Sequence, residues 1–107
     1  MEIKTITQEN FAAEVEQAAV PVLIDLWAPW CVYCRRLAPV LDRIADKYAG
    51  RVTVGKIDID AQPALGDALQ ADVIPTLYLY RGGRHGDKLV APQSQAAVEA
   101  WLDAQLG

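Results

Sequence analysis

Cysteine and histidine are scarce in this sequence, which has two cysteines and one histidine among its 107 residues. So few sulfur and imidazole groups exclude a framework of several disulfides. They also leave too few ligands for the usual four-ligand zinc site. We therefore expect no bound metal, and we expect the two cysteines to carry redox chemistry.

Long hydrophobic runs are missing as well, although 52% of the residues are hydrophobic. No run approaches the length of about 20 residues that spans a membrane, and the N-terminus lacks the cationic and apolar blocks of a signal peptide. A formal net charge of -4 disfavours a general attraction to nucleic acid or anionic membranes. We expect a cytoplasmic monomer that binds neither.

Apolar patterning predicts one domain, residues 1–107, because the chain is long enough for a single core and contains no linker or repeat. The fold class is α/β, with a mixed sheet of about five strands flanked by about four helices. The predicted elements are a short strand near 3–6, a helix capped by Thr7, a strand over 22–27, a helix over 32–49 kinked by Pro39 and ended by Gly50, a strand over 52–58, a short helix from Pro63, a hairpin of 76–80 and 88–90 around Gly82-Gly83, and a last helix around Trp101.

Both cysteines lie between the apolar run 22–27 and the helix that follows it. Unpaired N–H groups and the positive dipole end of a helix stabilise a thiolate, which is the attacking species in disulfide exchange. Cys31 is nearer the helix start and the solvent, so it is the expected nucleophile. Cys34 is one turn further in and is the expected resolving thiol.

Asp25 interrupts the otherwise apolar run. A carboxylate buried there costs several kcal/mol unless it is paired or protonated. One interpretation is an ion pair with Lys56 in the next parallel strand, and a second is a proton acceptor for the dithiol. The two are compatible.

The motif Trp30-Cys31-Val32-Tyr33-Cys34, after a strand that carries Asp25 and before Ile74-Pro75-Thr76, resembles the thioredoxin family. The resemblance covers nearly the whole chain. It implies a thioredoxin fold, reduction of protein disulfides, and recycling by a thioredoxin-reductase-like enzyme. It implies no cofactor beyond the redox-active Cys31–Cys34 disulfide.

The same resemblance implies roles for further residues. Asp25 would lie beneath Cys34 and accept its proton, and the Ile74–Pro75 bond would be cis, with both residues part of a substrate groove. Trp30 would form an apolar rim beside the nucleophile, whereas Trp27 would be packed. Arg35 and Arg36 are interpreted either as electrostatic support for the thiolate or as solvated surface charges.

Three departures from the family pattern lie at the substrate face. Val32-Tyr33 replaces the usual Gly-Pro, Asp72 precedes the groove where small or basic residues are common, and Ala91 stands where a glycine is usual. Tyr33 restores an N–H that proline lacks. If that N–H bonds to the Cys31 thiolate, it raises the redox potential by about 30 to 60 mV.

Two other functions fit the same residues. The missing central proline favours a disulfide oxidant or isomerase, which the absence of an export signal disfavours. A thioredoxin-like fold can also serve as a docking subunit whose dithiol is incidental. A measured redox potential distinguishes a reductase from an oxidant or isomerase, and a disulfide-reduction assay distinguishes it from a docking subunit.

Overall fold

A computed structural model describes residues 2–107. The strands are β1 (Lys4–Thr5), β2 (Val22–Trp27), β3 (Thr53–Asp58), β4 (Thr76–Arg81), β5 (Arg84–His85) and β6 (Leu89–Val90), and the helices are a π-helical segment (Ala12–Glu16), α1 (Val32–Lys47), α2 (Pro63–Ala68) and α3 (Gln95–Leu106). No helix within residues 2–107 is long and apolar enough to cross a membrane.

The strands form one mixed sheet with the order β1-β3-β2-β4-β5, and β6 also pairs with β4. β3 is parallel to β1 and to β2, whereas β4 is antiparallel to β2. The predicted α/β fold with a mixed sheet is confirmed. The predicted return strand 88–90 corresponds to β6, and the sheet has six strands because the sequence analysis missed β5.

Three residues, 86–88, lie between His85 and Leu89, one more than the two that lie between their partners on β4. Tyr80 pairs with His85 and Leu77 pairs with Leu89, so three residue steps on β4 are matched by four on the returning chain. One extra residue in an antiparallel pair is a β-bulge. Side chains alternate between faces, so the bulge lets His85 contact Tyr78 and Tyr80 while Leu89 packs on the opposite face.

Both faces of the sheet are covered by helices. Alternate residues of β2 divide between two cores, with Leu23 on one face and Ile24 on the other. α1 and α3 cover the first face, and the π-helical segment and α2 cover the second. The central strand is therefore buried on both sides, as its continuous apolar sequence predicts.

The predicted first helix is shorter and of a different type than its apolar stripe indicates. Thr7 does not cap it, because the N-cap residue is Phe11, which makes no side-chain cap hydrogen bond. The Thr7 hydroxyl instead accepts the N–H of Asn10 at 3.3 Å in the turn that precedes the helix. The segment itself has five residues, and the N–H of Gln17 bonds to the carbonyl of Ala12, a π-type bond. Packing of Phe11 edge-on against Tyr80 accompanies this geometry.

α1 is the longest element and carries the dithiol at its start. It runs through Pro39 without a break and ends at Lys47, two residues before the predicted end. Gly50 follows in the left-handed conformation, with φ of 83°, as a C-terminal glycine predicts. The Tyr48 hydroxyl donates to Asp103 at 2.6 Å, which ties the end of α1 to α3.

Candidate dithiol active site

Cys31 occupies the N-cap of α1 and Cys34 its first turn. The backbone N–H of Cys34 donates to Cys31 Sγ at 3.1 Å. Both residues are free thiols, and Cys31 is 7% exposed against 1% for Cys34. The outer sulfur thus already accepts one of the unpaired donors of the helix start, which is where a thiolate is stabilised.

Four neighbouring side chains pack around the two sulfurs. Ala28, Trp27, Ile59 and Ile74 form one apolar cluster with the cysteines. Ile59 was missed by the sequence analysis. Its position after β3 is the available signal, because the carboxyl ends of the parallel strands β2 and β3 lie at the same edge of the sheet.

The segment before β4 brings backbone atoms close to Cys31 Sγ. The Ile74–Pro75 peptide bond is cis, as the resemblance implies. Cys31 Sγ lies 4.0 Å from the carbonyl oxygen of Ile74. The N–H of Ala91 donates to the carbonyl of Pro75 at 2.8 Å, so the chain after β6 lies against the same segment.

Ala91 has a left-handed backbone, with φ of 45°. This conformation crowds the Cβ of an L-residue against the backbone and favours glycine. Alanine in place of the usual glycine at this position therefore strains the backbone. It also adds a methyl group at the edge of the segment that Pro75 defines.

Trp30 projects from the site and is 65% exposed. Its indole Nε1–H donates to Asp60 Oδ2 at 2.8 Å. Asp58 organises the same loop by accepting the backbone N–H of Asp60 at 2.9 Å. The exposed rim beside Cys31 is therefore held in one orientation by a loop at the end of β3.

Asp25 is fully buried, and neither carboxylate oxygen has a hydrogen-bond partner among residues 2–107. Burial raises the pKa of Asp25 to about 7, and the positive charge of Lys56 opposes this rise. A carboxyl group with a pKa near neutrality is suited to exchanging protons at physiological pH.

The interpretation that Lys56 forms a contact ion pair with Asp25 is wrong. The two residues are direct partners in the parallel register of β2 and β3, as predicted. The Lys56 ammonium group lies instead over the ring of Trp27, 4.5 Å from its centroid. A cation above an indole ring is stabilised by the ring electrons, so the lysine influences the carboxylate only through space.

The Cys34 thiol is held in its protonated form. Burial, followed by the hydrogen bond with Cys31, raises the pKa of Cys34 to about 12, and the charge of nearby Asp25 contributes in the same direction. The charge of Asp25 therefore acts on the Cys34 thiol. A thiol so reluctant to ionise needs a base before it can attack a disulfide.

The expectation that the backbone N–H of Tyr33 donates a hydrogen bond to Cys31 Sγ is wrong. The donor to Cys31 Sγ is the N–H of Cys34, because a side chain at the N-cap reaches the N–H of the third helical residue. Val32 and Tyr33 are exposed, at 53% and 37%. Tyr33 therefore contributes its side chain to the surface and no hydrogen bond to the sulfur.

The remaining charged candidates lie on the surface around the dithiol. Arg35, Arg36 and Asp72 are all exposed. His85 is in β5, at the other end of β4 from the cis bond. Within the described chain, residues 2–107, no three His, Cys, Asp or Glu side chains are grouped as metal ligands.

Comparisons with known proteins agree with this geometry. A thioredoxin family model matches residues 2–104. The chain is 41% identical over 99 residues to the thioredoxin of Allochromatium vinosum, covering 92% of each chain. It is 38% identical over 101 residues to thioredoxin 1 of Nostoc sp., covering 94% of each chain.

A third relative carries the same kind of domain in a larger protein. The chain is 38% identical over 93 residues to the bifunctional thioredoxin reductase/thioredoxin of Mycobacterium leprae, which covers 87% of this chain and 20% of that protein. The family model and the full-length relatives cover nearly all of the sequence. This chain belongs to the thioredoxin family of thiol-disulfide oxidoreductases.

Proposed function

We propose that this protein reduces disulfides in other proteins, with Cys31 as nucleophile and Cys34 as resolving thiol. The observation that carries the assignment is the asymmetry of the pair. Cys31 is the more exposed sulfur and accepts an N–H of the helix start, whereas Cys34 is buried behind it. This asymmetry supports Cys31 as the sulfur that meets an incoming disulfide.

The reaction has two exchange steps. The Cys31 thiolate attacks one sulfur of the target disulfide, forms a mixed disulfide and releases the other target sulfur as a thiolate. The Cys34 thiolate then attacks Cys31 Sγ, which forms the Cys31–Cys34 disulfide and releases the second target sulfur. Two electrons pass from the dithiol to the target, and no other cofactor is required.

Asp25 supplies the base for the second step. The proton of Cys34 passes to the Asp25 carboxylate as Cys34 attacks, and it returns when the disulfide is reduced again. The support for this role is the electrostatic coupling of the two groups and the absence of any hydrogen-bond partner for Asp25 among residues 2–107. Lys56 acts as a supporting charge that keeps Asp25 partly ionised at neutral pH.

The target binds beside the cis bond as an extended segment. The backbone of Ile74 is next to Cys31 Sγ and is available for strand-like pairing. Pro75, Ala91 and the exposed ring of Trp30 frame this groove, and Val32 borders it on the helix side.

Recycling requires two electrons and two protons from a partner enzyme. We assign that role to a thioredoxin-reductase-like protein, because a relative from Mycobacterium leprae is named a bifunctional thioredoxin reductase/thioredoxin. We also propose that the protein works as a monomer in a reducing cytoplasm. Reduction of the oxidised protein by a thioredoxin reductase with NADPH tests the partner. A measurement of the molecular mass in solution tests the monomeric state.

Cysteine variants test the role of each thiol. Cys34→Ser keeps the nucleophile and loses the resolving thiol, so it should accumulate mixed disulfides with target proteins on non-reducing gels. Cys31→Ser should form almost none. Equal trapping by both variants contradicts the assignment.

Two assays separate the alternatives. Acceleration of insulin reduction by dithiothreitol at micromolar protein supports a reductase, whereas no acceleration indicates a docking subunit. Equilibration with glutathione then measures the potential. A value near the isomerase range, about -180 mV, contradicts a reducing role.

A further inference from the structure

A second groove lies beside α1, the helix whose first turn carries Cys34. It has a volume of 230 Å³. One wall is formed by α1, with Tyr33, Arg36, the buried Leu37 and the half-buried Val40, and the other wall is the loop 92–94 that leads into α3. The hydrogen bond from Ala91 to Pro75 connects this loop to the segment beside Cys31, so the groove continues the target-binding face.

The cations of α1 differ in whether they have partners. Arg43 donates to Gln95 at 2.6 Å, and Lys47 pairs with Glu99, so both are held by α3. Among residues 2–107, the side chains of Arg35 and Arg36 make no hydrogen bond or ion pair, although the backbone N–H of Arg35 donates to the carbonyl of Cys31 at 3.1 Å. The two cations nearest the dithiol are therefore the ones left unengaged, in a chain whose net charge is -4.

Only one of these two arginines lines the groove. Arg36 forms part of its wall, together with the apolar side chains of Leu37 and Val40, whereas Arg35 is exposed outside it. A guanidinium group beside apolar walls binds a carboxylate more strongly than one in open solvent, because it presents several donors and water competes less.

We propose that this groove binds an acidic side chain of the target protein and that Arg36 selects targets with an Asp or Glu near the reacting cysteine. The proposal rests on the disulfide-reductase function above. Arg36 lies five residues after Cys31, about 7.5 Å along the helix axis. An extended target strand advances about 3.3 Å per residue, so the acidic residue is roughly two to four positions from its cysteine.

A panel of glutathionylated peptides tests the selection. The peptides share one sequence and differ by a single Glu, Gln or Lys placed at each position up to four residues from the cysteine. The rate constant for reduction by the wild-type protein is measured at 0.15 M salt, where distant charges are screened. At one favoured position the Glu peptide should react about three to ten times faster than the Gln peptide, and the Lys peptide more slowly.

Arginine variants provide the matched comparison. Arg36→Gln should abolish the preference for Glu, measured as the ratio of the Glu-peptide and Gln-peptide rate constants of that variant, and Arg36→Glu should reverse the preference. Arg35→Gln removes the same charge from the neighbouring position, outside the groove, and should retain the preference. Loss of the preference in Arg35→Gln to the same extent as in Arg36→Gln would overturn the proposal, as would equal rates for Glu and Gln peptides with the wild-type protein.

The outcomes distinguish this proposal from the function on which it rests. Reduction of every peptide at similar rates refutes the groove and leaves the reductase intact. Failure to reduce any peptide, together with failure to accelerate insulin reduction, refutes the reductase.

Discussion

Lys56 is paired with Asp25 in the register of β2 and β3, yet its ammonium group lies over Trp27 and leaves the carboxylate without a hydrogen bond among residues 2–107. A direct ion pair would keep the carboxylate charged and unable to take a proton near neutral pH. The lysine charge is thus held over the aromatic ring and not at the carboxylate that the sheet places beside it. This separation allows the pKa of Asp25 to rise to about 7.

Asp25→Asn should stabilise the protein in a pH-dependent way. The unfolded carboxyl ionises near pH 4 and the folded one at about 7, so the wild-type protein loses stability as the pH rises between these values. Asparagine does not ionise. The variant should match the wild type near pH 4 and exceed it by roughly 4 kcal/mol above pH 8.

Urea denaturation at a series of pH values measures this difference, with Asp87→Asn as a control at an exposed carboxylate. Asp25→Asn should also slow insulin reduction at neutral pH, because asparagine cannot act as the base that we propose for Cys34. A difference in stability that does not change between pH 4 and pH 8 contradicts the buried, protonated carboxyl.

Lys56→Met should raise the pKa of Asp25 above about 7. The lysine charge is what opposes the effect of burial, and methionine keeps a similar length without the charge. A ¹³C NMR titration of the Asp25 carboxyl measures the shift directly. The pH dependence of the resolving step should move to higher pH by the same amount.

Lys4→Met is the matched control for Lys56. Lys4 lines the same 480 Å³ cavity as Lys56, but its ammonium group is paired with Glu14 at 2.6 Å. Its removal should leave the Asp25 titration unchanged. An unchanged or lower pKa in Lys56→Met would show that the lysine does not act on the carboxylate.

Tyr33→Pro should leave the redox potential nearly unchanged. The hydrogen bond to Cys31 Sγ comes from Cys34, so proline at position 33 removes an N–H that does not reach the sulfur. Proline is also tolerated in the first turn of a helix. Equilibration with glutathione should show that the redox potential changes by much less than ~30 mV, which corresponds to about 1.4 kcal/mol. A fall in the potential of that size would show that the Tyr33 N–H does donate to the sulfur.

Ala91→Gly should stabilise the protein by about 1 kcal/mol, because glycine adopts the left-handed conformation at φ of 45° without the Cβ clash. The same substitution at Ala100, on the exposed side of α3, should destabilise by a similar amount because glycine disfavours a helix. Thermal or urea denaturation compares the two. Destabilisation by both substitutions would indicate that Ala91 is not strained.

The sequence predicts the elements whose patterns are local. The apolar run 22–27 is β2, the cysteines fall at the start of α1, and Gly82 and Gly83 adopt positive φ in the hairpin turn. Each depends on residues a few positions apart. The π-helical segment, by contrast, shows only an ordinary helical stripe in the sequence, because its hydrogen-bond pattern arises with packing against the sheet.

The residues themselves determined the chemistry of this protein. Two cysteines three positions apart at a helix start, and a carboxyl in an apolar strand, are properties of the sequence because spacing and side-chain type suffice to predict them. Tertiary structure decided which groups meet: the Cys34 N–H on Cys31, Lys56 on Trp27, Ile59 against the sulfurs, and Arg36 in a groove. These contacts join segments distant in the chain or depend on one of several possible donors, so their geometry follows only from the packed sheet and helices.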